Sequence, residues 1–596
     1  MKKLTLSLSS KMLLIFIAIL VFLLLYSNIN PLSSNFFLFH DATQGARLDQ
    51  FVSSFKSGIF PPRFAPEMSF GLSHPMIGLY SPFAYYPATF FNLIGFDIAS
   101  SLQLTWLMAV FIGFTGCYFF FRNFFDNKAS IFGSVVYISS LYWSLDIFVR
   151  GNIAETMFLG LLPTVFHFSY IKQGKFTFIL TSIFMGIFFT THNALSFLMI
   201  PILCAWILWI SRNKILSFLS LFMGLLLSAY FWLPLVIQAP LTHAKEIAIK
   251  TNFLDHFLCT WQLWTGRGPW SFGASMKGCE DGMIFALGKP QIILFILGVF
   301  VFILNHLLSS NIFSLKSIIT SKSKALIFLF LLTVFSLFLT TESSRFIWIA
   351  FKNQLELLQF PWRFITLSLL GLAAFSSYFW EYFEFQLTKY FSKYYYKFTF
   401  LKPADLLLIF FVTLILLFNK RYFITQNISK IEYLKNFASK DFVKNKSVYH
   451  YLELTPKIVD MDTYQNIRPD IFNNSPLDGS KYPAEGKINI IKNTPFEKIF
   501  ETKQTLVTLN IHYFPYWQIK IDDKTYTPKK FDSLGRPLLI LDNATKVISI
   551  SRRYPAEEFF GDIITCLGLL FTILLAILIP KAPSKFSLTF SKKKTF

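Results

Sequence analysis

The chain has 596 residues, of which 54% are hydrophobic and 19% aromatic, and its mean hydropathy is +0.50. That composition excludes an ordinary soluble globular protein and implies repeated crossing of a bilayer. The net charge of +22 would suggest nucleic acid as a partner in a soluble chain, but here the lysines and arginines gather in short loops between apolar runs and at both ends, so the charge reads as topology and nucleic acid is left out.

Met1-Lys2-Lys3 precedes an apolar run from Met12 to Tyr26. No small-residue cleavage site follows and more spans come after it, so the run reads as a retained first helix. Further spans are expected near 101–121, 129–145, 153–171, 176–190, 193–210, 215–237, 291–308, 325–341, 363–381, 404–418 and 560–580, which makes about twelve. With the N-terminus inside, the alternation puts Arg122 and Lys128, Lys172 and Lys175, and Arg212 and Lys214 in inner loops. Lys316, Lys322 and Lys324, then Lys389, Lys393, Lys397 and Lys402, and the tail Lys592-Lys593-Lys594 follow the same rule.

The outer face then receives the loops 28–100 and 238–290, short turns at 146–152, 191–193 and 342–362, and the polar stretch 419–559. Segments 505–509 and 546–550 alternate apolar and polar residues, and turn signals stand at Asp522-Asp523 and Leu534-Gly535-Arg536-Pro537. A small outer β-rich domain is therefore expected before the last helix. The predicted organisation is a polytopic α-helical bundle over 1–418, an extracytoplasmic β-rich domain over 419–559, and a last transmembrane helix with a basic cytoplasmic tail over 560–596. Such a chain belongs in a cytoplasmic membrane, with both termini inside and the working site outside.

The candidate chemistry lies in the outer segments. His40-Asp41 follows the first helix, and a carboxylate at the membrane edge can take a proton from a hydroxyl or hold a divalent metal; capping of the next helix is the structural alternative. The same loop carries Phe60-Pro61-Pro62-Arg63, His74-Pro75 and Tyr80-Ser81-Pro82, prolines that forbid one continuous helix. In Arg150-Gly151-Asn152-Ile153-Ala154-Glu155 the arginine can neutralise a phosphate and the glutamate can orient it, while a helix-end ion pair accounts for the same spacing. His192, in the turn Thr191-His192-Asn193, can donate to a phosphate or simply be solvated. In the second loop, Trp264, Trp270 and Asp281 suit a sugar platform, though interfacial tryptophan belts look the same in sequence. Arg363, in Phe360-Pro361-Trp362-Arg363-Phe364, enters the membrane and needs a carboxylate, a carbonyl or a phosphate as partner.

Cys117, Cys204, Cys259, Cys279 and Cys566 show no zinc-like spacing. Cys259 and Cys279 share one outer loop, where a disulfide is allowed but not required. No Walker A, dinucleotide, HExxH or GxSxG signature is present, and the spans hold few ionisable groups, which disfavours ATP-driven transport and midplane proton coupling.

Together, His40-Asp41, Phe60-Pro61-Pro62-Arg63, Tyr80-Ser81-Pro82, the 150–155 box, Thr191-His192-Asn193, the stretch from Ser271-Phe272-Gly273 to Asp281-Gly282-Met283, and Phe360-Pro361-Trp362-Arg363-Phe364 resemble the polytopic family labelled "membrane protein, 6-pyruvoyl-tetrahydropterin synthase-related", which is similar to GT-C membrane glycosyltransferases. Tyr513-Phe514-Pro515-Tyr516-Trp517, Asp522-Asp523-Lys524 and Tyr554-Pro555 resemble the outer part of YfhO-type proteins. The pterin label finds no clustered histidines here and is set aside. The resemblance implies sugar transfer from a polyprenyl-phosphate donor to a lipid, glycan or protein acceptor. Asp41 would be the catalytic base, Arg63, Arg150, His192 and Arg363 would bind the donor phosphate, and His40, Glu155, Trp264, Trp270 and Asp281 would contact substrate. Relatives often carry two acids where this chain has His-Asp, which leaves open whether a divalent metal, Mg or Mn, on Asp41 and Glu155 takes part. A transporter or flippase of lipid-linked sugars, or a non-catalytic envelope assembly factor on the same scaffold, is the alternative.

Overall fold

A computed structural model describes residues 8–250, 252–265, 272–308, 320–390, 403–450, 452–466 and 478–579. The protein is a multi-pass helical membrane protein. Among the described residues six helices are long and apolar enough to cross a bilayer: Ile98–Phe121, Lys289–Leu307, Ser321–Leu339, Pro361–Tyr390, Pro403–Lys420 and Ala556–Leu578. Two bent pairs, Asn127–Ile138 with Leu141–Arg150 at 44° and Lys214–Leu227 with Ala229–Leu241 at 60°, raise the number to eight. The expected count of about twelve is not reached by length and apolarity. The other expected spans are helical, but Lys11–Tyr26, Lys175–Phe189 and Leu195–Ile210 are short. Ile153–Tyr170 has a glutamate in its first turn and a proline inside it.

Local chemistry sets the helix ends. Asp97 caps Ile98–Phe121 by accepting from the Ser100 N–H at 2.7 Å, and Asp126 caps Asn127–Ile138 through Ala129 at 2.8 Å. The helices Ile98–Phe121 and Ile153–Tyr170 approach closely because small residues line their contact: a Cβ on Gly160 would stand 2.6 Å from the Ala109 carbonyl oxygen. At the end of the bundle near Lys128, cations meet acids rather than water alone. Lys128 pairs with Glu384 at 2.8 Å and Asp405 at 2.9 Å, and Lys322 pairs with Glu381. Part of the charge read as topology is thus local pairing. The tail 592–594 and the lysines at 316, 393, 397 and 402 lie outside the described residues.

The opposite, polar end carries the sheets. Asn35–Leu38 pairs antiparallel with Gln426–Ser429. A five-stranded antiparallel sheet runs in the spatial order Ile488–Asn493, Glu497–Thr502, Lys546–Arg552, Trp517–Ile521, Lys524–Tyr526, and Leu506–Thr508 pairs with Leu538–Ile540. Loop 28–100 is threaded through this region. Phe70 donates to the Lys444 carbonyl at 2.9 Å, His512 to that of Leu72 at 2.6 Å, and the Phe64 ring stacks on Tyr516 with centroids 4.6 Å apart. Cys259 and Cys279 form a disulfide, which answers the question left open by the sequence.

Gly160→Leu is expected to force the two packed helices apart and destabilise the fold by about 1–3 kcal/mol. Thermal unfolding of detergent-solubilised protein should show a lower midpoint for it and none for Gly174→Ala, where the nearest atom to an added Cβ is 3.8 Å away.

Candidate functional site at the polar end of the bundle

The 150–155 box folds as a helix junction. Leu145–Arg150 is a wide helical turn, Gly151 adopts the left-handed conformation at φ +66°, and Asn152 caps Ile153–Tyr170 by accepting from the Glu155 N–H at 3.0 Å. The junction aims Arg150 and Glu155 at each other, 2.7 Å apart. Arg150 also reaches Asp146 at 2.6 Å, and Asp146 accepts from Thr156 at 3.0 Å. Glu155 is fully buried, and its second oxygen accepts from the Tyr142 hydroxyl at 2.5 Å.

Two further expected residues come to the same carboxylate. Arg363 places Nε 3.6 Å from Glu155, and His192 places Nε2 3.9 Å from it. Arg363 also donates to the Leu358 carbonyl at 2.7 Å, whereas its Nε has no hydrogen-bond partner among the described residues. The Arg150 guanidinium lies 4.6 Å over the Trp362 ring. Burial first, and then the positive field of Arg363, push His192 down to about 3, so its imidazole is neutral at physiological pH.

Asp41 adjoins this cluster through the main chain. The His40 N–H donates to the Val149 carbonyl at 2.8 Å and that of Asp41 to the Arg150 carbonyl at 3.0 Å. Asp41 does not cap the following helix, whose N-cap is Thr43. Its side chain is 40% exposed, accepts from Gln44 at 3.3 Å and lies 4.0 Å from Arg47. Gln44 in turn donates to the Gly151 carbonyl at 3.0 Å and accepts from Tyr85 at 2.7 Å, which ties Asp41 to the junction. Arg47 sits 4.3 Å over the Tyr80 ring.

Sequence reasoning passed over Asp146, Tyr142 and Gln44, and it assigned no role to Arg47. Asp146 had a legible signal, lying four residues before Arg150 on a helical stretch. Glu453 and His450 were also missed. Burial raises the Glu453 carboxyl above its usual range and lowers His450, and both feel the charges of Asp41 and Arg47. Nothing in their local sequence announces that proximity.

Other expected residues are brought elsewhere. Arg63 is buried against the last helix, 2.8 Å from Asp562 and 3.6 Å from Glu558. Asp281 uses one oxygen on Gln262 at 2.9 Å and the other on the Met276 N–H at 2.7 Å, so it braces its own loop. Trp264 is exposed, with Lys289 Nζ 5.7 Å from its ring centroid. His40 is exposed and meets the Phe272 carbonyl at 3.0 Å. Trp270 lies outside the described residues. The second loop still covers the cluster, because Ser275 accepts from the Trp362 indole at 3.2 Å.

Asp41 and Glu155 do not fit a divalent metal. Both Glu155 oxygens are engaged by Tyr142 and Arg150, and among the described residues no three His, Cys, Asp or Glu side chains group as such an ion requires.

No protein-family profile matches the sequence, and no curated protein matches it. Among solved structures the chain is similar to the Archaeoglobus fulgidus oligosaccharyltransferase in the apo form, with 12% identity, a TM-score of 0.42, and coverage of 76% of this chain and 60% of that one. It is also similar to ArnT from Cupriavidus metallidurans bound to undecaprenyl phosphate, at 11% identity and a TM-score of 0.36, over 74% of this chain and 77% of that one. The A. fulgidus oligosaccharyltransferase AglB, in complex with an inhibitory peptide and a dolichol-phosphate, is similar at 13% identity and a TM-score of 0.36, over 75% and 60% of the two chains. The chain thus spans 60% of the length of the archaeal oligosaccharyltransferases. No residue here takes a role from these likenesses.

Glu155→Gln is expected to take from Arg363 its ion-pair partner, leave Arg150 with Asp146 alone, and cost about 3–5 kcal/mol, read as a large drop in thermal midpoint. A second expectation concerns pH. Folded His192 binds its proton only near 3, whereas an unfolded histidine does so near 6.5. Between these values the unfolded chain holds more protons, so its contribution to stability is present above about pH 6.5 and is lost as pH falls toward 3. Unfolding midpoints measured from pH 7 to pH 4 should fall, and His192→Gln should flatten the slope.

Proposed function

We propose that the protein is a membrane glycosyltransferase that moves a sugar from a polyprenyl-phosphate donor to an acceptor hydroxyl at the outer face of a cytoplasmic membrane. One observation carries this reading. An accessible carboxylate, Asp41, is one backbone hydrogen bond from a buried charge cluster in which Arg363 Nε, 3.6 Å from Glu155, makes no hydrogen bond among the described residues. Buried ionisable groups in an apolar bundle mark a working site by default, and a guanidinium with donor capacity to spare suits a phosphate.

In the proposed reaction Asp41 accepts the proton of the acceptor hydroxyl as its oxygen bonds to the anomeric carbon. The bond from that carbon to the donor phosphate oxygen breaks, and the electron pair leaves with the phosphate. Arg363 receives the departing phosphate, supported by Arg150, and neutral His192 can donate a hydrogen bond without adding charge. Arg47 stands 4.0 Å from Asp41. Arg63 has no part in this step, being paired with the last helix. No step is assigned to a metal. The sheet-bearing segment beyond the eleventh expected span would bind acceptor or a partner protein.

The test is sugar transfer from radiolabelled polyprenyl-phosphate sugars in proteoliposomes supplied with acceptor extract. Asp41→Asn should lower turnover roughly a hundredfold or more while donor binding persists. Movement of the donor across the bilayer at a normal rate in both proteins, with no transfer, would replace the enzyme by a flippase. Indifference of every readout to Asp41→Asn and Arg363→Ala would favour an assembly factor.

A further inference from the structure

Between the last helix, Ala556–Leu578, and the helix Lys175–Phe189 lies a groove of about 600 Å³ that the proposed reaction does not use. The two helices run antiparallel. At one end Lys175 Nζ donates to the Ile577 carbonyl at 2.8 Å, and toward the other end Thr190 and Asp562 both line the groove. This order sorts the lining by depth. Ile183 and Cys566 lie farther from the polar end, where Tyr86, Thr190, Tyr230 and Asp562 gather. Tyr230, Tyr86 and Thr190 line this end together. An apolar trough with a few convergent polar groups at one end has the form of an amphiphile site.

A helix break shapes the trough. Where Lys214–Leu227 turns by 60° into Ala229–Leu241, the Tyr230 N–H donates to Thr565 at 2.9 Å and the Tyr230 carbonyl accepts from Arg63 at 2.5 Å. Backbone that a straight helix would satisfy internally is here held by the last helix and by Arg63.

Charge selects the occupant. Arg63 is held by Glu558 and Asp562, and Arg552 by Glu558 at 3.0 Å, so two cations balance two carboxylates, one of them on the groove wall. Arg63 and Arg552 each keep an Nε without a hydrogen bond among the described residues, but with two carboxylates against two guanidiniums an anionic head would meet Asp562 with no net positive charge to hold it. A neutral head with hydroxyls can bond to the phenols, the threonine and the carboxylate. The polar end of the groove also adjoins the site. Thr190 accepts from the Phe83 N–H at 3.1 Å, His192 follows two residues later, and Tyr86 is next to Tyr85, which holds Gln44 beside Asp41.

We propose that this groove binds a neutral, hydroxyl-headed lipid of the diacylglycerol kind, with its chain along Ile183 and Cys566 and its head among Tyr86, Thr190, Tyr230 and Asp562. Resting on the glycosyltransferase reading, that lipid is the acceptor, which enters sideways from the bilayer while the phosphate-borne donor is held at Arg363.

The probe is a photoactivatable diacylglycerol in proteoliposomes of the full-length protein, compared with phosphatidic acid carrying the same chains and the same reactive group. Labelled sites are read by peptide mass spectrometry. Diacylglycerol should label peptides covering 175–190 and 556–578 more than phosphatidic acid does, and unlabelled diacylglycerol should compete. Cys566→Trp, which fills the groove from an exposed position, should cut that labelling roughly tenfold. Ile187→Trp on the facing wall repeats the test if the first variant does not fold. Equal labelling by both lipids that neither variant changes would mean boundary lipid alone and overturn the proposal, as would preference for phosphatidic acid. Asp41→Asn should leave labelling intact. Selective labelling without any sugar transfer keeps the groove and removes the enzyme, whereas transfer without groove labelling removes the groove alone.

Discussion

A carboxylate buried in an apolar bundle must be paid for by its partners, and Glu155 recruits them from separate parts of the chain. Arg150 comes from the turn before its own helix, Tyr142 from the stretch before that, and Arg363 from the entrance of a helix about two hundred residues later. Because one carboxylate serves two guanidiniums, neither arginine can leave without exposing the other to an altered field. The cluster therefore fastens Ile153–Tyr170 to Pro361–Tyr390 and fixes where cationic donors point. Asp146 adds a second carboxyl group beside Arg150, which leaves Arg363 as the cation with the thinner set of partners.

The second loop is also joined to this cluster. The Cys259–Cys279 bridge closes the segment that carries Ser275, and Ser275 contacts both the Trp362 indole and the His256 ring. Trp362 in turn lies under Arg150. A covalent constraint at the surface is thus connected, through one serine and one indole, to the buried ion pairs.

Much of this was legible because a charge is conspicuous in a hydrophobic sequence. Arg150, Glu155, His192 and Arg363 stood out at the ends of apolar runs, and they converge. What sequence does not carry is partnership at long range. Arg63 looked equivalent to Arg150, yet its partner Asp562 lies 499 residues away on the last helix. Asp281 looked like a ligand and is a loop brace, since a short polar side chain in a turn serves either role. Alternation at 546–550 and 505–509 correctly marked strands. Asn35–Leu38 gave no such sign, because its paired phenylalanines are both buried and its partner strand, Gln426–Ser429, lies far along the chain. Length and apolarity do not confirm the span count where bends, short helices and Pro163 interrupt apolar runs.

The pairing of Asn35–Leu38 with Gln426–Ser429 also governs when the candidate site can be completed. Tyr433 donates to the carbonyl of Ala42, its neighbour in space but 391 residues earlier in the chain. At ordinary rates of synthesis that interval amounts to roughly 20 to 80 s, during which the strand leading to His40-Asp41 has no partner. The edge carrying Phe36 and Phe37 is open to proteolysis and mispairing for that time. A nascent or truncated chain accordingly lacks this pairing, and assembly itself delays completion of the candidate site until nearly all of the helices are in place.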